Sequence, residues 1–307
     1  MIINARPRKD RIVELPRLNE LDIAAAIPQC EEIGSPLRGG QKLVFPCRVA
    51  SKRYALKLML KNEANGEEET QLDEVEERAA REVELMRQFD DPHLVKMGPL
   101  GLTHAEIAGQ RVIFFTEEWI DGLDVKTILR QQGPLSPKEV SRLGIEMAGA
   151  IDLLWTLDIV HRDIKPGNIM RRDATGEYVL LDMGIALNLS DISLTRSGRV
   201  AMTPAYASPE QLNLSRKRYL DFRSDQFALG IVLYEALTCQ HPFLRIASPN
   251  ISVTYQIQNA TVDPPSSIRS DIPRRLDMII CRLLEKKPQL RYRDCTTLQR
   301  ALQSALN

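Results

Sequence analysis

The spacing of apolar residues changes character several times along the chain. Residues 1–28 carry a basic stretch from Arg6 to Arg11 and no clear period, so they read as an extension ahead of the folded region. The segment Arg53-Tyr54-Ala55-Leu56-Lys57-Leu58-Met59-Leu60 predicts a strand whose period of two puts Ala55 and Lys57 on one face. An acidic stretch with Glu67-Glu68-Glu69 and Glu76-Glu77 leads into a predicted helix over 71–89. Met97–Leu102 and Val112–Thr116, on either side of a turn at Ala108-Gly109-Gln110, predict a hairpin. Further on the period becomes helical. Ser136-Pro137-Lys138-Glu139 is a capping box with proline at the first helical position, and Val140, Leu143, Met147, Ile151 and Leu154 recur behind it. Ile159-Val160 and Val179-Leu180-Leu181 are short strand-like runs. After Asp221 comes a nearly all-apolar helix, the pattern of one buried on all sides.

Composition narrows the class. A chain of 307 residues can bury one large core or two lobes. Its 41 basic and 41 acidic residues balance, so no net field recruits nucleic acid or an anionic membrane. No apolar run approaches the ~18 residues of a membrane span, and the first residues lack the apolar core of a signal peptide. Cys30, Cys47, Cys239, Cys281 and Cys295 are scattered without metal-ligand spacing, and their odd number fits a reducing compartment. The expectation is a soluble cytoplasmic protein without nucleic-acid or membrane partners.

The chemistry concentrates between Ile159 and Gly184. Each of the two apolar runs there ends close to an aspartate. Asp163 is followed by Lys165 and Asn168, giving H-R-D-x-K-x-x-N, and Asp182 is followed by Gly184. Two carboxylates, an amide and an ammonium in so short a stretch suit phosphoryl transfer, which needs cations to spread phosphate charge and a carboxylate to orient the attacking hydroxyl. Mg²⁺ takes oxygen ligands, typically one or two side chains plus substrate phosphates, and Asn168 with Asp182 would supply them.

These motifs resemble those of eukaryotic-type Ser/Thr protein kinases, and the resemblance runs from about residue 31 to the end. It implies an α+β, bilobal protein-kinase fold. Residues 1–28 would be the extension, 29–118 a small β-rich lobe with one regulatory helix, and 119–307 a larger helical lobe. It also implies ATP and Mg²⁺ as cofactors and a protein substrate with a Ser or Thr acceptor. Asp163 would be the base, Lys165 the stabiliser of the transferred phosphoryl, and Asn168 and Asp182 the metal ligands. Lys57 would hold the phosphates, braced by Glu82, while Ala55 roofs the adenine.

The glycine loop departs from the family's G-x-G-x-x-G-x-V. Counting back from Val44, Gly39 falls on a family glycine, Leu37 and Lys42 occupy the other two positions, and Gly40 compensates locally. Anchored on Gly122, Glu118 and Ile120 would offer backbone groups to adenine, and Asp124 matches a ribose contact. The same register puts Glu117 at a position the family usually keeps apolar.

Met202-Thr203-Pro204 through Ser208-Pro209-Glu210 resembles the end of an activation segment, with Thr203 near the substrate. Arg162 would receive a phosphate placed on Ser193, Thr195 or Ser197 by autophosphorylation. Asp225 would brace the catalytic loop, and Arg291 would pair with Glu210. No anchor or sensor domain is expected after Arg291. Two other readings compete: a non-catalytic scaffold of the same fold, which the filled catalytic positions disfavour, and a small-molecule kinase, which would lack the Ser208-Pro209-Glu210 segment.

Overall fold

The computed structural model describes residues 18–39, 42–60, 68–183, 187–188, 203–213, 220–244 and 251–305. Gly40, Ser193, Thr195 and Ser197, singled out above, lie outside the described residues. The chain divides into two compact units: Met1–Glu76 with Gly98–Glu117, and Glu77–Met97 with Glu118–Asn307.

The first unit is built on a five-stranded sheet of β1 (Leu37–Gly39), β2 (Lys42–Val49), β3 (Lys52–Leu60), β4 (Thr103–Ile107) and β5 (Gln110–Glu118), ordered β1-β2-β3-β5-β4. On β2 burial alternates, with Leu43, Phe45 and Cys47 inward. β3 and β5 are flanked by strands on both sides and are buried on both faces, from Ala55 to Met59 and from Val112 to Glu117. Continuous apolar runs are what such strands require. An ionisable residue inside one must therefore be paired. Lys57 on β3 and Glu117 on β5 are in that position. The hairpin predicted to start at Met97–Leu102 instead begins at Thr103; the preceding residues pair with the end of β5 through Gly98 N to Thr116 O (2.8 Å) and Thr116 N to Leu100 O (2.9 Å).

Part of the predicted extension belongs to this unit. Helix α1 (Glu20–Ala26) is capped by Asn19, whose side chain accepts from Asp22 N at 2.8 Å. Leu18, Ile23 and Ile27 join a core that includes Phe45, Leu56 and Phe114. One buried isoleucine on a seven-residue helix, with a second at its C-cap, gives too short a pattern to register as a period.

The second unit takes the part of α2 (Glu68–Gln88) from Glu77 onward and continues to Met97. Backbone pairing ties the residues after the helix to this unit: Val95 N bonds Leu180 O at 3.0 Å, and Leu180 N bonds His93 O at 2.8 Å. After this come β6 (Gly122–Asp124), α3 (Val125–Gln132), α4 (Pro137–Trp155), β7 (Ile159–Val160), β8 (Ile169–Arg172), β9 (Tyr178–Leu180) and β10 (Leu187–Asn188). β6, β8 and β9 form one antiparallel sheet, and β7 pairs with β10. At Gly122 a Cβ would lie 1.9 Å from Arg171 O, so only glycine lets β6 approach β8 this closely. The rest is helical: α5 (Pro209–Leu212), α6 (Phe222–Thr238), α7 (Val253–Asn259), α8 (Arg274–Leu283) and α9 (Cys295–Ser304). α6 packs against α4 and α8, and α4 also against α9. The stripe Val140, Leu143, Met147, Ile151 and Leu154 is fully buried on α4.

Because Ile23 is wholly buried, Ile23→Ala should destabilise the protein by about 2–4 kcal/mol, read as a lower urea midpoint.

Candidate active site

The loop after β7 is fixed from below by α6. Asp225, buried in that helix, accepts from His161 N (2.8 Å, Oδ2) and Arg162 N (2.9 Å, Oδ1). Burial pushes its carboxyl up; His161, the two backbone N–H groups and Arg162 pull the other way. The His161 ring is also engaged at both nitrogens, with Asp163 N donating to Nδ1 (3.3 Å) and Nε2 lying 3.1 Å from Leu181 O. Arg162 adopts φ +72°, a left-handed conformation that an arginine takes only where the surroundings impose it.

The Asp163 side chain is then oriented by its neighbours. Oδ2 accepts from Lys165 Nζ (2.6 Å) and Asn168 Nδ2 (3.0 Å), and the same amide donates to Asp163 O (2.9 Å). Oδ1 is buried and receives no hydrogen bond among the described residues. A carboxylate with one oxygen clamped and the other open is set to accept one more proton donor. Lys165 Nζ also reaches Thr203 Oγ1 at 2.9 Å, so the threonine, the ammonium and the carboxylate form one chain of contacts.

With Nδ2 turned to Asp163, Asn168 has only its Oδ1 to offer a cation. Leu181 N bonds Asn168 O at 2.8 Å, which ties this residue to the one preceding Asp182. Asp182 has φ +58°, a second left-handed non-glycine residue at the site, and Met183 beside it is fully buried. Among the described residues no group of three or more His, Cys, Asp and Glu forms a cation cage by itself. An amide oxygen and a carboxylate are hard donors and fit a Mg²⁺ ion that brings phosphate and water ligands of its own.

Arg162 has an electrostatic demand of its own. Its guanidinium is largely buried, and its Nε finds no acceptor among the described residues. Desolvation lowers its pKa; Asp225 opposes this, while the positive charges of Arg81 and Arg78 on α2 add to it. A nearby anion with several acceptor oxygens would satisfy the Arg162 Nε and offset this repulsion.

The segment from Thr203 to Glu210 is anchored to the helices. Glu210 receives a two-pronged contact from Arg291, 2.6 Å to Oε1 and 3.0 Å to Oε2, and a third bond from Ser224 Oγ at 2.9 Å. Burial opposes ionisation of Glu210, but Arg291 and Ser224 together hold its pKa below the usual value. Ser208 and Gln211 form a capping box on α5, and Gln211 Nε2 donates to Arg162 O at 3.3 Å. His241 Nε2 lies 2.9 Å from Ala205 O while Nδ1 accepts from Phe243 N, which fixes the Nε2–H tautomer. Tyr206 donates to Glu235 at 2.8 Å.

Within the first unit, the β2–β3 register sets Val44 opposite Lys57 and Pro46 opposite Ala55, so Val44, Ala55 and Lys57 share a face. Lys57 Nζ meets Glu117 Oε2 at 2.7 Å. Gly39 ends β1 opposite Lys42. Glu82 is fully buried on the α2 portion belonging to the second unit. There too, Glu118 is fixed by Lys96 N (3.0 Å) and Arg172 Nη2 (2.9 Å), and Ile120 is buried. Asp124 is the N-cap of α3, accepting from Thr127 N and Oγ1 at 2.9 and 2.7 Å. Sequence reasoning had missed that cap, although Asp before Val-Lys-Thr is its usual signal. It also missed Ser224 and Gln211, whose partners are distant in sequence, and gave Glu117 no role.

Residues 30–305 match the protein kinase domain family, and the chain belongs to it. Over 271 residues it is 32% identical to the serine/threonine-protein kinase PknE of Mycobacterium bovis, covering 88% of this chain and 44% of that protein. It is also 32% identical to PknB of Mycobacterium leprae over 223 residues, 72% of this chain and 35% of the relative. PknH of Mycobacterium bovis is 32% identical over 231 residues, 75% and 37% of the two chains. The chain thus spans less than half the length of these curated relatives. No helix among the described residues is long and apolar enough to cross a membrane.

Removing Arg291 leaves the Glu210 carboxylate buried without its cation. Arg291→Ala should cost about 3–5 kcal/mol in denaturant unfolding, and Arg291→Lys, which lacks the fork, should recover only part. His241 gives a pH test. Burial pushes its imidazole down to about 4, against the pull of Ala205 O. In the unfolded chain it titrates near ~6.5, so the unfolded state binds more protons between those values. The stability from neutral His241 is complete above about 6.5 and is lost as pH falls toward about 4, roughly 3 kcal/mol in all. The melting temperature of His241→Asn should therefore fall less steeply than wild type across that window.

Proposed function

We propose that this chain transfers the γ-phosphoryl group of Mg-ATP to Ser or Thr hydroxyls of protein substrates. The observation that carries the reading is Asp163: Oδ2 is clamped by Lys165 and Asn168, and Oδ1 receives no hydrogen bond among the described residues. That oxygen would take the hydrogen bond of an acceptor hydroxyl and orient it for in-line attack. Lys165, already bridging Asp163 and Thr203, would face the transferred phosphoryl and lower the cost of its charge. Asn168 and Asp182 would hold Mg²⁺, which when bound neutralises phosphate charge. Lys57 would hold the α- and β-phosphates, with Glu82 as its expected partner. Val44 and Ala55 would line the adenine, with Gly39 and Gly40 over the phosphates. Glu118 and Ile120 would supply backbone groups to the base. Asp124 would meet the ribose with the lone pairs its capping bonds leave over.

The names of the relatives support the serine/threonine class, as does Thr203 beside Lys165. The arginine cluster of Arg162, Arg81 and Arg78 supports autophosphorylation on Ser193, Thr195 or Ser197 as the activating step. The cysteines are free, Cys30 and Cys47 remaining thiols although they lie side by side, and this supports a cytoplasmic location.

Incubation with Mg²⁺ and γ-labelled ATP should put label on Ser or Thr, and Asp163→Asn and Asp182→Asn should each reduce it by about a hundredfold or more. Label undiminished in Asp163→Asn would sink the assignment. Alanine at Ser193, Thr195 and Ser197 together should lower activity toward an added protein substrate; unchanged activity would remove the autophosphorylation step.

A further inference from the structure

The two central strands of the first unit each bring one ionisable side chain to the same sheet face. Lys57 comes from β3, on the face it shares with Ala55 and Val44. Glu117 comes from β5, two residues after Phe115, whose ring centroid lies 5.7 Å from the ammonium. The ion pair is 2.7 Å long, and its side chains are only 5% and 6% exposed. At that burial neither charge survives alone: an ammonium this far from water neutralises or turns away unless an anion meets it. The anion expected from the resemblance, Glu82, sits on a helix segment that belongs to the other unit. Glu117 is supplied by the sheet itself.

We propose that Glu117 is a positioning residue for nucleotide binding. It keeps Lys57 charged and aimed along the sheet face, so that the ammonium meets the nucleotide phosphates already desolvated and oriented. This rests on the reading of Lys57 as the phosphate-holding lysine. The ammonium has three N–H donors and can meet more than one anion, phosphate included. An acidic residue at a position the family keeps apolar is then a second brace for the lysine. The interaction is prearranged, which reduces the ordering cost of binding.

The test is calorimetric titration of the full chain with Mg²⁺ and a non-hydrolysable ATP analogue. Wild type is compared with Glu117→Gln, Glu117→Met, Lys57→Met and the double variant Lys57→Met/Glu117→Gln. Glu117→Gln and Glu117→Met should each weaken binding about tenfold or more, because the buried lysine loses its carboxylate ion-pair partner. In the Lys57→Met background, Glu117→Gln should change nothing further, because its effect acts through the lysine. A merely structural glutamate would not show that non-additivity. If the Gln variant melts far below wild type, the Met variant, close in volume and without a polar group to bury, carries the measurement.

Binding as tight as or tighter than wild type in both Glu117 variants overturns the proposal, as do additive effects in the double variant. The two levels of the argument fail differently. If Lys57→Met weakens binding and Glu117→Gln does not, only the role of Glu117 falls. If Lys57→Met leaves binding unchanged, or wild type binds no nucleotide, the reading of Lys57 falls and the proposal with it.

Discussion

One fully buried carboxylate sets the geometry of the candidate site. Asp225 sits within α6, away from water, and among the described residues its two oxygens receive the backbone N–H groups of His161 and Arg162. Satisfying it forces the chain leaving β7 into a tight loop, with Arg162 left-handed. The loop in turn delivers Asp163, Lys165 and Asn168 to one another. Any relaxation of the Asp225 contacts would leave a carboxylate unsolvated in the core, so the loop is held by the cost of the alternative. The apolar character of α6 is therefore part of the chemistry, because it makes this single polar demand rigid.

Buried carboxylates elsewhere meet the same requirement with other donors. Glu210 takes a guanidinium fork and a hydroxyl, which hold its pKa down. Asp225 has backbone N–H groups as its direct donors, and burial still holds its pKa up. Glu117 takes the ammonium of Lys57 across neighbouring strands. A fork fixes orientation and suits a permanent brace. A lysine offers a point charge on a flexible stem and suits a contact shared with an arriving anion. The choice of donor follows the work each site is given.

Much of this was legible from the chain. The capping box at Ser136 and the stripe from Val140 to Leu154 marked α4, and the all-apolar run after Asp221 marked a helix buried on every side. The cluster from His161 to Asn168 could be read because its chemistry is contiguous in sequence. What escaped was non-local or short. Pairing of Val95 with Leu180 assigns the segment after α2 to the second unit, and no local pattern encodes that partner. Helix α1 with its C-cap buries Ile23 and Ile27, too few positions to make a period. Glu117 looked anomalous because its explanation, Lys57, lies on another strand.

His161 carries a last implication. Histidine is the side chain best suited to shuttle protons near neutrality, and this one lies beside the carboxylate at the centre of the site. Yet its Nδ1 is taken by Asp163 N, and its Nε2 faces Leu181 O. With both ring nitrogens engaged, the imidazole works as a strut between two stretches of backbone. That leaves Oδ1 of Asp163, which receives no hydrogen bond among the described residues, as the unengaged polar atom beside the ring.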